Sequence, residues 1–138
     1  MIQNEKQYKI TVKKFNHFAE LVNELKPFIK SSLQKKLQHA SYSQIKNQLH
    51  AEVKNYLKTK NKPIVFKKQI SINHLPDVLI KYKISKKLSQ KAFSEILGIK
   101  EQQLQRYEAD KYASVSFKRL LSFVDKTDLK ILLSIKDA

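Results

Sequence analysis

The sequence predicts a mainly α-helical protein: a long helical hairpin, then a compact unit of five short helices, with a short strand between them. Two long runs of apolar residues at three- and four-residue spacing fall before residue 60, and they predict the two helices of the hairpin. The one glycine of the chain, Gly98, lies between two shorter runs of the same period, which predicts two helices joined by a tight turn. Residues 64–72 are rich in β-branched side chains and lack a helical period, so we expect the strand there.

The charge of the chain narrows its partners. Its 138 residues, 41% of them hydrophobic, suit one domain or a small domain with an extension. The 28 Lys+Arg outnumber the 12 Asp+Glu, and a formal charge of +16 attracts nucleic acid or an acidic membrane surface. Residues 1–60 hold 12 Lys and 4 Glu, a net +8, and residues 61–138 hold 16 Lys+Arg and 8 Asp+Glu, again +8. Because a lysine-biased genome would give the same even excess, charge alone does not identify the partner.

Several chemical classes have no support in the sequence. Without cysteine there is neither a disulfide framework nor a thiolate metal site. The single glycine argues against the usual phosphate-binding loops, and no catalytic triad or carboxylate pair is evident. The histidines stand too far apart in sequence for a metal pair: His17, His39, His50 and His74. We therefore expect no catalytic residue, no metal and no cofactor, and a protein that is not an enzyme.

The sequence also indicates where in the cell the protein is located. No apolar run approaches the roughly 18 residues that cross a bilayer. The first residues, MIQNEKQYK, lack the apolar core of a signal peptide. We expect a cytoplasmic protein with no membrane partner.

The first hairpin helix is predicted to begin at Thr11, as its cap, after a polar lead-in over residues 1–10. Pro27 predicts a kink or an end near Lys26. The apolar positions of this helix are Val12, Phe15, Phe18, Val22, Leu25 and Ile29.

The second hairpin helix is predicted to begin at Ser31 and to continue to Thr59. Its apolar spacing loosens over residues 40–43, where we expect a bend or a slip in the contact with the first helix. The apolar positions are Leu33, Leu37, Ala40, Ile45, Leu49, Val53 and Tyr56 or Leu57. Two helices bury such stripes poorly by themselves, so the hairpin should pack on a partner copy or on the rest of the chain.

Five short helices are predicted over residues 75–135. Leu75-Pro76-Asp77 suits a first helical turn, since proline and an acidic residue are both favoured there. The two helices around Gly98 follow, the first with Ser89 at its start. Ser116 can cap a fourth helix, and the apolar residues 129–135 supply the fifth.

The segment LSQKAFSEILGIKEQQLQRYEADKYASVSFKRLLSFVD resembles the phage-repressor-like (XRE-type) helix-turn-helix family. The resemblance covers roughly residues 74–126 and implies a lambda-repressor-like fold. In that family the serine at the position of Ser89 caps the second helix, and the glutamine at Gln90 reaches a phosphate or braces the recognition helix. Glu108 matches a structural acid that is usually followed by glycine. Here Ala109 follows instead, so the loop must be made differently.

The resemblance also implies which residues enter the major groove. These are Glu101, Gln102, Gln105 and Arg106, with Lys100 at the start of the recognition helix. The chemistry agrees, because glutamine can bond adenine N6 and N7, and arginine can fork onto guanine O6 and N7. Glu101 would accept a hydrogen bond from cytosine N4, or would repel phosphate and sharpen the register. The candidates for phosphate contact and positioning are Ser89, Gln90, Lys91, Lys100 and Lys111.

We predict three segments: residues 1–60, the hairpin for dimerisation or partner binding; residues 61–73, a linker with the strand; and residues 74–138, the helix-turn-helix domain. The leading hypothesis is a dimeric autorepressor of transcription that reads a palindromic operator in double-stranded DNA. The alternative is a HigA-type antitoxin of a type II toxin-antitoxin pair, whose hairpin neutralises a toxin. A lysine-rich RNA- or membrane-surface binder is a third class, but it would not need the specific polar face QQxQR.

Overall fold

The computed structural model describes residues 1–62 and 69–137. The predicted mainly α fold class is confirmed, since these residues contain six α-helices and no β-strand. The helices are α1 Glu5–Leu25, α2 Leu33–Asn61, α3 Leu75–Ser85, α4 Gln90–Leu97, α5 Glu101–Ala109 and α6 Phe117–Asp125. None of the helices in the described residues is long and apolar enough to cross a membrane.

The described residues divide into two compact units. One contains residues 1–62 and 84–87, and the other contains residues 69–83 and 88–137. Most of the predicted strand, residues 64–68, lies outside the described residues, and the remainder is not a strand: a short 3-10 turn spans Ile72–His74. The proposed boundaries at residues 60 and 73 remain predictions.

Helix α1 begins earlier than expected, so the predicted polar lead-in is wrong. The side chain of Asn4 accepts a hydrogen bond from the Gln7 backbone N–H at 2.9 Å, which caps the helix. Thr11 is therefore an interior residue, and its hydroxyl donates to the Gln7 carbonyl. The predicted end is confirmed, because α1 stops at Leu25 and Pro27 lies in a 3-10 turn.

Helix α2 packs antiparallel to α1, as ring contacts between the two helices show. Ring centroids lie 5.2 Å apart for Tyr8 and Tyr56 and 5.7 Å apart for Phe18 and Tyr42, so rising numbers in α1 meet falling numbers in α2. Ser32 caps α2 through the Lys35 backbone N–H, one residue after the predicted cap. The helical hairpin is confirmed.

The predicted apolar stripe of α2 is wrong over its first two turns. Leu33 and Leu37 are 73% and 61% exposed, and Ala40 is exposed as well. His39 and Tyr42 are instead half-buried, and Tyr42 lies edge-on against Phe18. The expected bend or slip near residues 40–43 is absent: half-buried or buried positions recur every three or four residues from Ser32 to Lys60, and α2 stays helical throughout.

The second unit has the buried core of a small helical domain. Ser89 and Ser116 cap α4 and α6 as predicted, and α3 begins at Leu75. The core side chains come from all four helices and from the loop after α5: Leu75, Leu79, Ile80, Tyr82, Phe93, Leu97, Leu104, Tyr112, Phe123 and Val124. This core fixes how α4 and α5 meet.

The predicted fifth helix of this unit does not form. Residues 129–137 have no regular secondary structure, so four helices, α3 to α6, build the unit. Leu132 and Ile135 are 93% and 92% exposed. The apolar residues of this segment have no core to cover, which removes the packing energy that a short helix needs.

Candidate nucleic-acid interface

The turn between α4 and α5 is set by its one glycine. Gly98 has φ of 70° and ψ of 32°, the left-handed region that side chains other than glycine rarely adopt. Its N–H donates to the Glu95 carbonyl, and the next N–H, of Ile99, donates to the Ser94 carbonyl at 3.0 Å. This closing pair of bonds ends α4 and directs the chain into α5 two residues later.

Lys126 closes the same turn from the far end of α6. Its Nζ donates to the Leu97 carbonyl at 3.0 Å and so satisfies a carbonyl at the C-terminus of α4. A Cβ added at Gly98 would lie 3.3 Å from that Nζ, so the lysine would have to shift. Both the backbone angle and the tight space therefore favour glycine at this position.

Helix α5 presents a polar face to solvent. Its buried residues are Leu104 and Glu108, on the side of the core. Gln103 is half-buried and donates to the Tyr107 hydroxyl at 3.0 Å, so this glutamine is engaged within the helix. The exposed residues include the four predicted base readers, Glu101, Gln102, Gln105 and Arg106. One exposed face therefore carries both adenine-reading and guanine-reading side chains.

A buried ion pair holds α5 against α3. Lys83 and Glu108 have side chains that are 1% exposed, and the Lys83 Nζ donates to both Glu108 carboxylate oxygens at 2.7 Å. Burial lowers the pKa of Lys83 from its ordinary value, while the carboxylate beside it acts in the opposite direction. Gln90 completes the group, because its Nε2 donates to Glu108 Oε2 at 2.9 Å. The first residue of α4 is thus bonded to the last turn of α5.

Sequence reasoning missed Lys83 and Lys126. Lys83 carried a signal, since it follows the buried Leu79 and Ile80 at helical spacing and therefore shares their face. Lys126 carried none, because its partner, the Leu97 carbonyl, is a main-chain atom 29 residues away.

The predicted positioning residues lie at the start of α4, at the start of α5 and after α5. The Ser89 hydroxyl accepts from the Ala92 N–H at 3.0 Å, so its capping role is present. Lys91 and Lys100 are exposed, and Lys100 occupies the cap position of α5 without a side-chain capping bond. Lys111 is exposed but turns toward α3, with its Nζ 3.8 Å from an Asp77 carboxylate oxygen.

The loop after α5 forms without the glycine that is usual in the family that this segment resembles. Lys111 and Tyr112 both have left-handed backbones, with φ of 52° and 61°. The Tyr112 ring is buried between Tyr107 and Phe123, at centroid distances of 6.3 and 6.5 Å. Burial raises the pKa of Tyr112, whose hydroxyl has no hydrogen-bond partner among the described residues. Ring packing thus holds a strained backbone in place.

The comparisons with known proteins agree with this geometry. Residues 79–132 match the sequence model of a family described as Helix-turn-helix. This match supports an XRE-type helix-turn-helix in residues 79–132. No similar curated protein and no similar solved structure was found.

The helix-turn-helix domain supports a DNA-binding transcriptional regulator. Proteins of this domain family bind DNA and are regulatory, not enzymatic. In residues 1–62 and 69–137, no three histidine or acidic side chains are grouped as a metal site would need.

Proposed function

We propose that this protein is a repressor that binds a palindromic operator as a dimer and regulates its own operon. The observation that carries the proposal is the exposed polar face of α5, held rigidly by the buried Lys83, Glu108 and Gln90 group. A base-reading helix needs such support, because bidentate bonds to base edges tolerate little misplacement. A regulator of this kind would lie on the nucleoid of a bacterial cell.

The proposed base contacts follow from side-chain chemistry. Gln102 and Gln105 would each bond an adenine through N6 and N7, and Arg106 would fork onto guanine. Glu101 stands in the first turn of α5, where it would accept from cytosine N4 or repel misplaced phosphate. Phosphates would be met by Ser89, Gln90, Lys91, Lys100 and Lys111, which position the helix without reading sequence.

Loss of a base contact gives the first test. The cognate site is obtained by selecting genomic fragments that bind the wild-type protein, and affinity is then measured on that site and on single-base variants. Gln102→Ala and Arg106→Ala should each cost about 1–3 kcal/mol on the cognate site and relax preference at one base pair. The reason is that a lost bidentate bond leaves the base edge unpaired.

Matched controls separate recognition from charge and fold. Lys118→Ala removes the same positive charge from an exposed position of α6, and Gln48→Ala removes an exposed glutamine from α2. Both should bind the operator as wild type does. If the α5 variants also bind as wild type does, α5 is not the recognition helix and the proposal fails.

A second candidate function has an observation of its own on the hairpin. Phe28, Leu33 and Leu37 are 43%, 73% and 61% exposed at the α1–α2 connection and the start of α2. Exposed apolar groups this close in sequence are typical of protein-binding surfaces. We propose as the alternative an antitoxin of a type II pair, in which this end of the hairpin binds and neutralises a toxin.

The antitoxin alternative is tested with the product of a neighbouring open reading frame. If that product is toxic to cells, coexpression of this protein should restore their growth, and the two proteins should copurify. The double variant Leu33→Glu with Leu37→Glu should abolish both the rescue of growth and the copurification, because it places charge in an apolar contact. The control is Gln34→Glu with Gln38→Glu, which adds the same two charges at exposed positions nearby and should leave rescue intact. If the variant that lacks Leu33 and Leu37 still restores growth, this surface does not bind the toxin.

A further inference from the structure

The segment after α6 is the most exposed apolar stretch of the second unit. Leu132, Leu133 and Ile135 are 93%, 69% and 92% exposed, and Ile131 is 39% exposed. Residues 129–137 have no regular structure. Apolar groups left in water over a whole segment indicate a surface that another chain covers.

The sequence of this segment fits the period of a strand. Its odd positions, from residue 129 to residue 135, are all Leu or Ile. Its even positions are Lys130, Leu132, Ser134 and Lys136. Alternation with period two places one apolar and one mostly polar row on opposite faces of an extended chain.

The start of the segment is anchored to the domain. The Tyr82 hydroxyl donates to an Asp128 carboxylate oxygen at 3.3 Å, and the Leu129 N–H donates to the Thr127 hydroxyl at 3.2 Å. Leu129 is half-buried. The row of odd-numbered apolar residues therefore begins in contact with its own domain, while the later residues of the segment are more exposed.

We propose that residues 129–135 pair as an antiparallel β-strand with the same segment of a second copy. The inference rests on the proposed dimeric operator complex, and it assigns the contact between the two copies to this segment instead of the hairpin. A two-fold contact brings the same surface of both copies together, and an antiparallel strand pair satisfies that symmetry. It would also pair the backbone N–H and C=O groups of alternate residues in the segment.

Complementarity selects one register, with the two-fold axis at Leu132. The apolar row of one strand then faces the apolar row of the other, and each terminal lysine faces a carboxylate. In this register the facing pairs are Leu129 with Ile135, Ile131 with Leu133, Lys130 with Ser134, and Asp128 with Lys136.

Neighbouring registers are poorer. An axis at Leu133 sets Lys130 opposite Lys136, and like charges directly opposite each other destabilise a strand pair. An axis at Ile131 sets Lys130 opposite Leu132 and removes Ile135 from the apolar row. A slip by one residue would set the apolar row against the polar one.

The hairpin is the less suitable contact between copies. Its residues 1–60 carry a net +8, so two hairpins would repel each other, whereas residues 128–137 hold 2 Asp and 2 Lys and are neutral. Lys130 and Lys136 also flank the apolar row, and flanking lysines limit pairing beyond two strands. A second copy is therefore the occupant that charge favours.

Cysteine cross-linking of the full chain tests the pairing, because the chain has no cysteine of its own. Leu132→Cys should form a disulfide-linked dimer on mild oxidation, since residues facing each other across strands have Cβ atoms about 4.5–5.5 Å apart. Lys136→Cys, on the same face and also exposed, should cross-link to itself at least about tenfold more slowly because its own copy lies far along the pair.

Mixed variants test the register. Lys130→Cys mixed with Ser134→Cys should give the heterodimer, and Lys130→Cys mixed with Lys136→Cys should not. Leu133→Glu, which breaks the apolar row without touching the core, should raise the dimer Kd in sedimentation by about tenfold or more.

The outcomes separate this inference from the function beneath it. If sedimentation shows a dimer but Leu132→Cys cross-links no faster than Lys136→Cys, the strand pairing is wrong and the dimeric regulator stands. If the protein binds its operator as a monomer, both the dimeric function and the strand pairing are wrong.

Discussion

At the scale of single residues, the pair of Lys83 and Glu108 has the largest consequence. Two ions buried to 1% exposure have lost their hydration, and their mutual bonds and the bond from the Gln90 amide replace part of it. Replacing such a pair by apolar residues is often harmless, while breaking it is not, because the remaining charge is left unpaired. The pair therefore contributes to the position of α5 more than to the net stability of the domain.

Single and double substitutions of this pair should behave very differently. Lys83→Met should destabilise the domain by about 3–5 kcal/mol in urea unfolding, because the Glu108 carboxylate is left buried without its cation. Lys83→Met combined with Glu108→Leu should recover most of that loss. A double variant as unstable as the single one would mean that the pair itself supplies the stability.

The recovered double variant should still bind operator more weakly than wild type. Without Glu108, the Gln90 amide no longer ties α4 to the last turn of α5. Melting and operator affinity measured on the same protein distinguish this loss of positioning from a loss of fold.

At the scale of elements, local signals predicted the helices and long-range contacts decided the rest. The caps Ser89 and Ser116 were readable because a serine bonds an N–H three residues away. The exposure of Leu33 and Leu37 could not be read from the sequence, because it depends on which turn of α2 meets Phe18. The missing fifth helix could not be read from the sequence either, since its residues fit a helical period and only the lack of a core contact at Leu132 and Ile135 argues against a helix.

The exposure of the predicted base readers was accessible from sequence for the same reason as the caps. The apolar spacing of α5 fixes its buried side, and Glu101, Gln102, Gln105 and Arg106 then face away. The Lys83 contact with Glu108 spans 25 residues and could not be read from spacing.

The ends of the hairpin helices are joined by one polar group. Glu5 accepts from Tyr56 at 3.1 Å and from Lys60 at 3.0 Å. The bond from Lys60 lowers the pKa of Glu5, and burial with the Glu5 bond raises the pKa of Tyr56 to about 12. This group ties the first turn of α1 to the last turns of α2.

Hairpin stability should fall in alkali because of Tyr56. Its pKa is raised in the folded protein, so the stabilisation is complete below the ordinary value near 10 and is lost as the pH rises through about 12. Melting between about pH 9 and about pH 11 should therefore drop less in Tyr56→Phe than in wild type. Tyr8→Phe, which keeps the stacked ring pair, is the control and should drop as wild type does. Equal drops in all three proteins would contradict the role of Tyr56.

At the scale of the whole molecule, the charge of +16 is spread over the chain, and only part of it is expected to meet DNA. Each phosphate contact releases counterions and so adds to the salt dependence of binding. The predicted contacts Lys91 and Lys100 lie at the starts of α4 and α5, whereas the lysines of α1 belong to the other unit. Salt dependence can therefore distinguish lysines that touch DNA from lysines that only raise solubility.

Replacing Lys91 and Lys100 should reduce the salt dependence of DNA binding. For Lys91→Gln with Lys100→Gln, the slope of log K against log salt should fall in magnitude by about 2, with a similar loss for specific and non-specific DNA. Lys13→Gln with Lys14→Gln removes the same charge from exposed positions of α1 and should leave the slope unchanged. If this control also has a smaller slope of log K against log salt, the hairpin contacts DNA.

The left-handed pair after α5 sets different limits on how its two positions can evolve. Lys111 has an exposed side chain, so glycine or asparagine there would relieve backbone strain at no cost to the core. Tyr112 has the same backbone but fills the space between Tyr107 and Phe123. Glycine at that position would exchange strain for a cavity. Among relatives, glycine and asparagine should therefore replace lysine at position 111, whereas position 112 should keep a large aromatic residue.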